Sequence, residues 1–270
     1  QRAEGTAYGE QISFTTLAAV APKISNFYAL RTGITKASGT CNIYSDGGAD
    51  ITERGVCYSH IFSPPTTDNS KVIVTGTTGE FIWNLSQLGY TSYQVRAYAK
   101  NSIGITYSEV ITVQTMSPTV TDIENTTYDL IEIGNQIWFK QNLKTTKYKN
   151  GDVIGTTTAD ITNETSPKYQ WPATGIEHNA QTFGRLYTYY AITDSRALCP
   201  DGWRIANDTD WNTLVSFLGD ASVVGGKLKS FINWKSPNIG VTDEVGFSAF
   251  GSGLRKADGT FEGFDTESGW

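Results

Sequence analysis

CPDGWRIANDTDW, residues 199–211, decides how the C-terminal half of the chain is read. Gly202 tolerates the positive φ of a tight corner, and the Trp203 ring beside it is costly to leave in water. Asn207 or Asp208 can accept a backbone N–H and start a helix in which Trp211, Leu214, Val215 and Leu218 recur at i, i+3, i+4 and i+7. Gly219 ends it. The expectation is a corner followed by an amphipathic helix, with Trp203 and Trp211 both in the core.

Further out, residues 128–143, YDLIEIGNQIWFKQNL, put Leu130, Ile131 and Ile133 before a Gly134-Asn135 turn and Ile137, Trp138 and Phe139 after it, the pattern of a two-residue hairpin. Residues 150–178 are polar and without a clean period, and predict a long ordered loop. Residues 184–191, GRLYTYYA, suit a short helix from Arg185 to Asp194 that buries Leu186, Tyr189 and Tyr190 and ends before Pro200. Residues 246–255, GFSAFGSGLR, suit glycine-rich strands.

In this order, these stretches resemble the Fibrobacter succinogenes major paralogous domain, a module of secreted and surface proteins of Bacteroidetes and their relatives. The resemblance covers residues 128–270. It departs at Ala206, where the family usually has proline, and at Trp270, where an aromatic-serine motif is followed in the family by further strands, so the domain is expected to be incomplete at its C-terminus. The resemblance implies an α+β, C-type-lectin-like fold. It also implies a place outside the cell or on its outer surface, or on a virion surface if the gene is a phage's.

Residues 20–116 predict a β-sandwich. Ala37, Gly39, Cys41 and Ile43 alternate with polar partners, as do Phe81, Trp83 and Leu85, and Tyr93, Val95, Ala97 and Ala99 face away from Gln94, Arg96, Tyr98 and Lys100. Turns fall at Asp46-Gly47-Gly48 and Gly76-Thr77-Thr78-Gly79. SDGGADITERGVCYS, from Ser45, and YQVRAYAKNSIGITY, from Tyr93, make this stretch resemble the fibronectin type III-like repeats of Bacteroidetes surface proteins, which serve mostly as spacers. The polar, proline-containing residues 117–127 are expected to be a linker. The whole is thus expected to be β-rich, with two modules.

A repeat bears on the N-terminus. GTAYGEQISFTT, from Gly5, matches GITYSEVITVQT, from Gly104: Tyr8, Glu10, Ile12 and Thr16 each recur 99 positions later as Tyr107, Glu109, Ile111 and Thr115. Residues 1–16 are therefore expected to be the tail strand of a preceding sandwich, any export signal lying upstream.

Across 270 residues, 18 % are charged and 12 % aromatic, there are 27 glycines, and the net charge is -6. That profile suits extracellular β-rich modules. The acidic balance and the scattered basic residues argue against a nucleic-acid partner, and the lack of an 18-residue apolar run argues against a membrane span. The motifs of zinc proteases, α/β-hydrolases, P-loop enzymes and dinucleotide-binding folds are absent, and the two histidines fall in different modules, so no enzyme activity is expected, although the 27 acidic residues leave a glycosidase-type carboxylate pair open. Cys41 and Cys57 lie on successive predicted strands and are expected to stay unbridged, and Cys199, without a nearby base, to be a buried thiol. No cofactor is expected. Asp258, Glu262, Asp265 and Glu267 offer oxygen ligands for calcium, although a solvated hairpin explains them as well.

Two function classes compete. One is a recognition or adhesion protein whose second module binds a glycan or a protein, with Trp270, Trp234, Arg255, Phe261 and Asp265 as candidate ligand-binding residues. The other is a structural fibre component that self-associates on a bacterial surface or a bacteriophage. An accessory region of a carbohydrate-active enzyme is a further alternative.

Overall fold

The computed structural model describes residues 5, 8–172 and 175–268. The chain divides into two units, Gln1–Thr115 and Met116–Trp270.

The first unit is a two-sheet antiparallel sandwich. One sheet has β1 (Lys23–Arg31), β2 (Ala37–Ser45) and β5 (Gly79–Leu85) in that order. The other has β4 (Ser70–Ile73), β3 (Glu53–Ser59), β6 (Ser92–Lys100) and β7 (Ile105–Tyr107), with β8 (Ile111–Gln114) also paired to β6. The alternation seen in the sequence is what fills the space between them. Ile43, Phe81, Trp83, Val95 and Ala97 point inward from facing sheets, and each large apolar side chain so buried contributes about 1.5–3 kcal/mol. Tyr98, expected on the outer face of β6, is buried there: Tyr107 covers its ring at 6.4 Å and its hydroxyl donates to Glu53 at 2.6 Å. Gly47, at φ 78, is obligatory, because a Cβ there would lie 2.1 Å from the Val20 carbonyl oxygen that closes against this turn. Buried Asn101 ties the same corner, donating to the Val20 and Asp46 carbonyls, each at 2.7 Å.

Cys41 is on β2 and Cys57 on β3, so the two lie in different sheets; both are buried free thiols. Among the described residues up to Pro22 no strand forms, and Tyr8, Ile12 and Phe14 of the expected tail strand are 85–90 % exposed.

The segment expected as a linker is largely folded into the second unit. There β9 (Thr119–Thr121) pairs with β10 (Thr127–Ile133), which pairs in turn with β11 (Gln136–Phe139). Asp122 Oδ1 accepts the N–H groups of Glu124 and Thr126 and makes the turn between β9 and β10. The polar composition marked this turn rather than a flexible connector. The β10–β11 hairpin has the expected register, Ile133 opposite Gln136, with Gly134 at φ 60 packed under Phe217.

Within the expected loop, β12 (Gly155–Thr156) and β13 (Lys168–Gln170) pair in parallel, and β13 pairs with β14 (Leu186–Tyr187). A 3-10 turn (Glu177–Asn179) and α1 (Ala180–Phe183) precede β14, and α2 (Tyr189–Ile192) follows it. The helix expected from Arg185 to Asp194 is therefore half strand. Leu186 and Tyr187 pair with Gln170 and Tyr169, and the single turn that remains buries Ala191 and leaves Tyr189 and Tyr190 exposed.

The helix read from the opening stretch is α3 (Asp208–Leu218). Asn207 caps it, its side chain accepting the Asp210 N–H at 3.1 Å while the Asp210 carboxylate accepts the Asn207 N–H at 2.9 Å. Gly202 has φ 81 at the corner, and Gly219 ends the helix at φ 107. After α4 (Ala221–Leu228) the chain closes with the hairpin of β15 (Ser252–Arg255) and β16 (Phe261–Phe264). Leu214, Leu218, Val224, Leu228, Phe247 and Ile133 form one core; Tyr148, Ile154, Ala191 and Leu198 form another. Trp203 and Trp211, expected in the core, are only half-buried, each pressed against an aromatic of β11 at 4.7 Å, Trp203 on Phe139 and Trp211 on Trp138. Among the described residues no helix is long and apolar enough to cross a membrane.

Candidate functional site

Four of the five candidate residues are gathered around the β15–β16 hairpin; Trp270 lies outside the described residues. Asp265 is held at the foot of the hairpin by backbone bonds, one of them from Lys235, the residue after Trp234. Lys235 N–H donates to the Asp265 carbonyl at 2.7 Å, and Asp265 N–H to the Gly251 carbonyl at 2.9 Å. Asp265 itself turns the chain at φ 57, a left-handed conformation that Asp tolerates better than most residues. The Trp234 indole N–H donates to the Ala249 carbonyl at 2.8 Å, and Lys229 Nζ lies 4.3 Å from the ring centroid. One face of the indole is thereby occupied, which leaves at most the other for stacking on a ligand.

Arg255 and Phe261 are opposite each other in the hairpin, with the guanidinium 5.5 Å from the ring. Arg255 donates to the Gly259, Thr157, Thr158 and Ala159 carbonyls at 2.8–3.2 Å. All three guanidinium nitrogens are thus engaged, and the residue holds the 157–159 segment against the hairpin. Phe261 in turn packs beside Gly175, where an added Cβ would approach its ring to 3.2 Å.

The acidic residues disperse. Asp258 accepts the Thr260 hydroxyl and N–H, and these bonds hold its carboxyl below the usual range; Glu262 pairs with Lys256. Among the described residues no group of three or more His, Cys, Asp or Glu is placed to hold a metal ion. Burial pushes the Cys199 thiol up to about 11, above the range in which a thiolate forms at neutral pH.

The side chains that sequence reading missed are on the loop between α4 and β15. Phe231, Ile232 and Ile239 are 65–79 % exposed, yet the loop that carries them is pinned: Asn238 donates to the Ser230 carbonyl at 2.9 Å, and Ser230 N–H to the Ala249 carbonyl at 3.0 Å. The available signal was the apolar pair before Trp234 in SFINWKSPNIG, a run with neither helical nor strand period. The arrangement offers three exposed apolar side chains on a fixed loop that also carries a half-covered indole. Exposed apolar side chains of this kind can contact an apolar or sugar-ring surface.

Among solved structures, the chain is similar to an engineered protein at 14 % identity and a TM-score of 0.24, covering 37 % of this chain and 21 % of that one. It is also similar to the FN1-FN3 domains of chicken CNTN1, at 16 % identity and a TM-score of 0.28, covering 63 % of this chain and 53 % of that one. The chain thus spans about a fifth and about half of the length of these two. No curated protein matches it. Residues 131–270 match the Fibrobacter succinogenes major domain, and the chain belongs to that family.

Proposed function

We propose that the chain is a non-enzymatic recognition or adhesion protein of the cell exterior. In this reading the sandwich is a fibronectin type III-like spacer, and the second unit is a C-type-lectin-like tip that binds a glycan or a protein. The observation that carries it is the exposed apolar rim of Phe231, Ile232 and Ile239 on a loop tied down by Asn238 and Ser230. Loops positioned by a rigid scaffold are where binding residues concentrate, and an exposed apolar cluster costs solubility unless it is used. A glycan array probed with the chain and with its Phe231→Ser/Ile232→Ser variant tests this. Binding by the parent that is lost in the variant supports the reading. Equal binding by both removes the rim from it.

The fibre reading has its own observation. On the outer face of the β1–β2–β5 sheet, Tyr28 is opposite Thr40 and Thr40 opposite Ile82, and both large side chains are exposed. Concentration-dependent mass in light scattering, abolished by Tyr28→Ser/Ile82→Ser, favours self-association through that face.

A further inference from the structure

The repeat between residues 8–16 and 107–115 acquires a physical meaning from what the second copy does in the sandwich. Tyr107 sits opposite Tyr98 on β6, its ring lies 3.7 Å from the Arg96 guanidinium carbon, and its hydroxyl bonds Thr67. Ile111 and Val113 are opposite Val95 and Tyr93 and pack on the sandwich core. Buried Thr115 follows the strand directly, its hydroxyl donating toward the Gly89 and Thr91 carbonyls at 2.7 and 3.0 Å while accepting the Thr91 N–H at 2.9 Å. Each of these residues has a job because a strand reading Tyr-x-Val-Arg-x-Tyr lies beside it.

The first copy has the same residue types at the same spacing and none of that environment. Tyr8, Ile12 and Phe14, which correspond to Tyr107, Ile111 and Val113, are 85–90 % exposed, and residues 8–16 belong to no strand. Alternating apolar side chains with strand propensity are costly to hold in water along a whole segment. The β6 strand of this chain is already covered by β7 and β8, so it is not the segment's partner.

We infer that residues 8–16 are the closing strand of a second sandwich of the same kind, pairing antiparallel with a strand of the pattern aromatic-x-aliphatic-Arg-x-Tyr. The register follows from the copy. Phe14 faces the first aromatic, Ile12 the aliphatic residue and Tyr8 the last tyrosine, with the arginine over the Tyr8 ring and Thr16 closing the end. Phe14 is larger than Val113, so the partner core has a smaller neighbour at that point than Tyr93 and its surroundings offer here. Only residues 17–22 separate this strand from β1, and six extended residues span about 20 Å. Two sandwiches so joined stand close together.

The test places residues 20–106 directly ahead of Tyr8 in the otherwise full chain, so that the added sandwich has only residues 8–16 to close it. The expected result is a second cooperatively folded sandwich, with amide exchange at Ile12 and Phe14 slowed by about two orders of magnitude relative to the parent chain. The same fusion with Phe14→Val removes overpacking as a reason for failure, and one with residues 8–16 scrambled sets the baseline. Protection in either unscrambled fusion supports the inference; exchange at the scrambled rate in both overturns it.

Discussion

Glu124 is clasped by Thr146: its Oε1 accepts the Thr146 hydroxyl at 2.7 Å, and its Oε2 accepts the Thr146 backbone N–H. Thr145 adds its hydroxyl to Oε2 at 2.9 Å. A carboxylate in the β9–β10 turn is thereby fastened to the segment after β11, across the start of the second unit. Burial alone would push its pKa up, but the backbone and hydroxyl donors of Thr146 and Thr145 outweigh burial and hold it below the usual value.

The sign of the pH effect follows. A carboxyl with a folded pKa below its unfolded value, about 4.3 for Glu, contributes stability that is complete above that value and is lost as pH falls through the folded pKa. Glu124→Gln is expected to lower stability by about 1–2 kcal/mol at pH 7, as loss of charge-assisted hydrogen bonds at a half-buried site does. It should also flatten the acid limb of the second unit's stability curve below about pH 4. Urea unfolding at a series of pH values checks both, and an acid limb equal to the parent's would show that the clasp contributes nothing.

Arg255→Ala releases four carbonyl acceptors and should loosen the 157–159 segment from the hairpin. The expected outcome is faster limited proteolysis between residues 157 and 166, with a global loss of about 1–3 kcal/mol. Cleavage at the parent's rate would show that Arg255 does not hold this segment.

Trp234→Ala and Phe231→Ser separate holding from binding. Trp234 donates to Ala249 and lies under Lys229, so its loss should cost about 3–5 kcal/mol, discounted because the ring is only half-buried. Phe231 stands in water, and its replacement should leave stability within about 0.5 kcal/mol. Thermal unfolding of the two variants side by side reads the difference.

All three thiols are expected to be inert in the native protein. Cys41, Cys57 and Cys199 are buried, and burial raises their pKa values, Cys41 to about 12 and Cys199 to about 11. A thiol-reactive dye at pH 8 should label them only at the rate of unfolding, and at once in denaturant; rapid native labelling of Cys199 would place it in an open site.

Periodic stretches were legible from sequence because their pattern is set by their own backbone geometry. Trp211, Leu214, Val215 and Leu218 mark α3, and alternation marks β2, β5 and β6. Arg185–Asp194 was misread because Leu186 and Tyr187 have no period of their own and become a strand only by pairing with β13, a contact from outside the window. The 117–127 stretch looked like a linker because the bonds of Asp122 to its own backbone use the residues that flexible connectors favour. Of the candidate site, the hairpin residues were found and the rim was not. An exposed Phe231 differs from a buried one only in what the distant Ser230–Ala249 and Asn238–Ser230 bonds make of the loop.

Thr115 has a mechanical consequence. It is the last residue of the first unit, and β9 begins at Thr119. Tension drawn through the second unit therefore reaches the sandwich at this residue before any bond of β8 is loaded. The Thr115 hydroxyl and N–H are fastened to Gly89 and Thr91, so peeling of β8 from β6 cannot begin until these bonds give way. A pull from the second unit therefore meets several hydrogen bonds of one buried residue together before it meets the β8–β6 ladder.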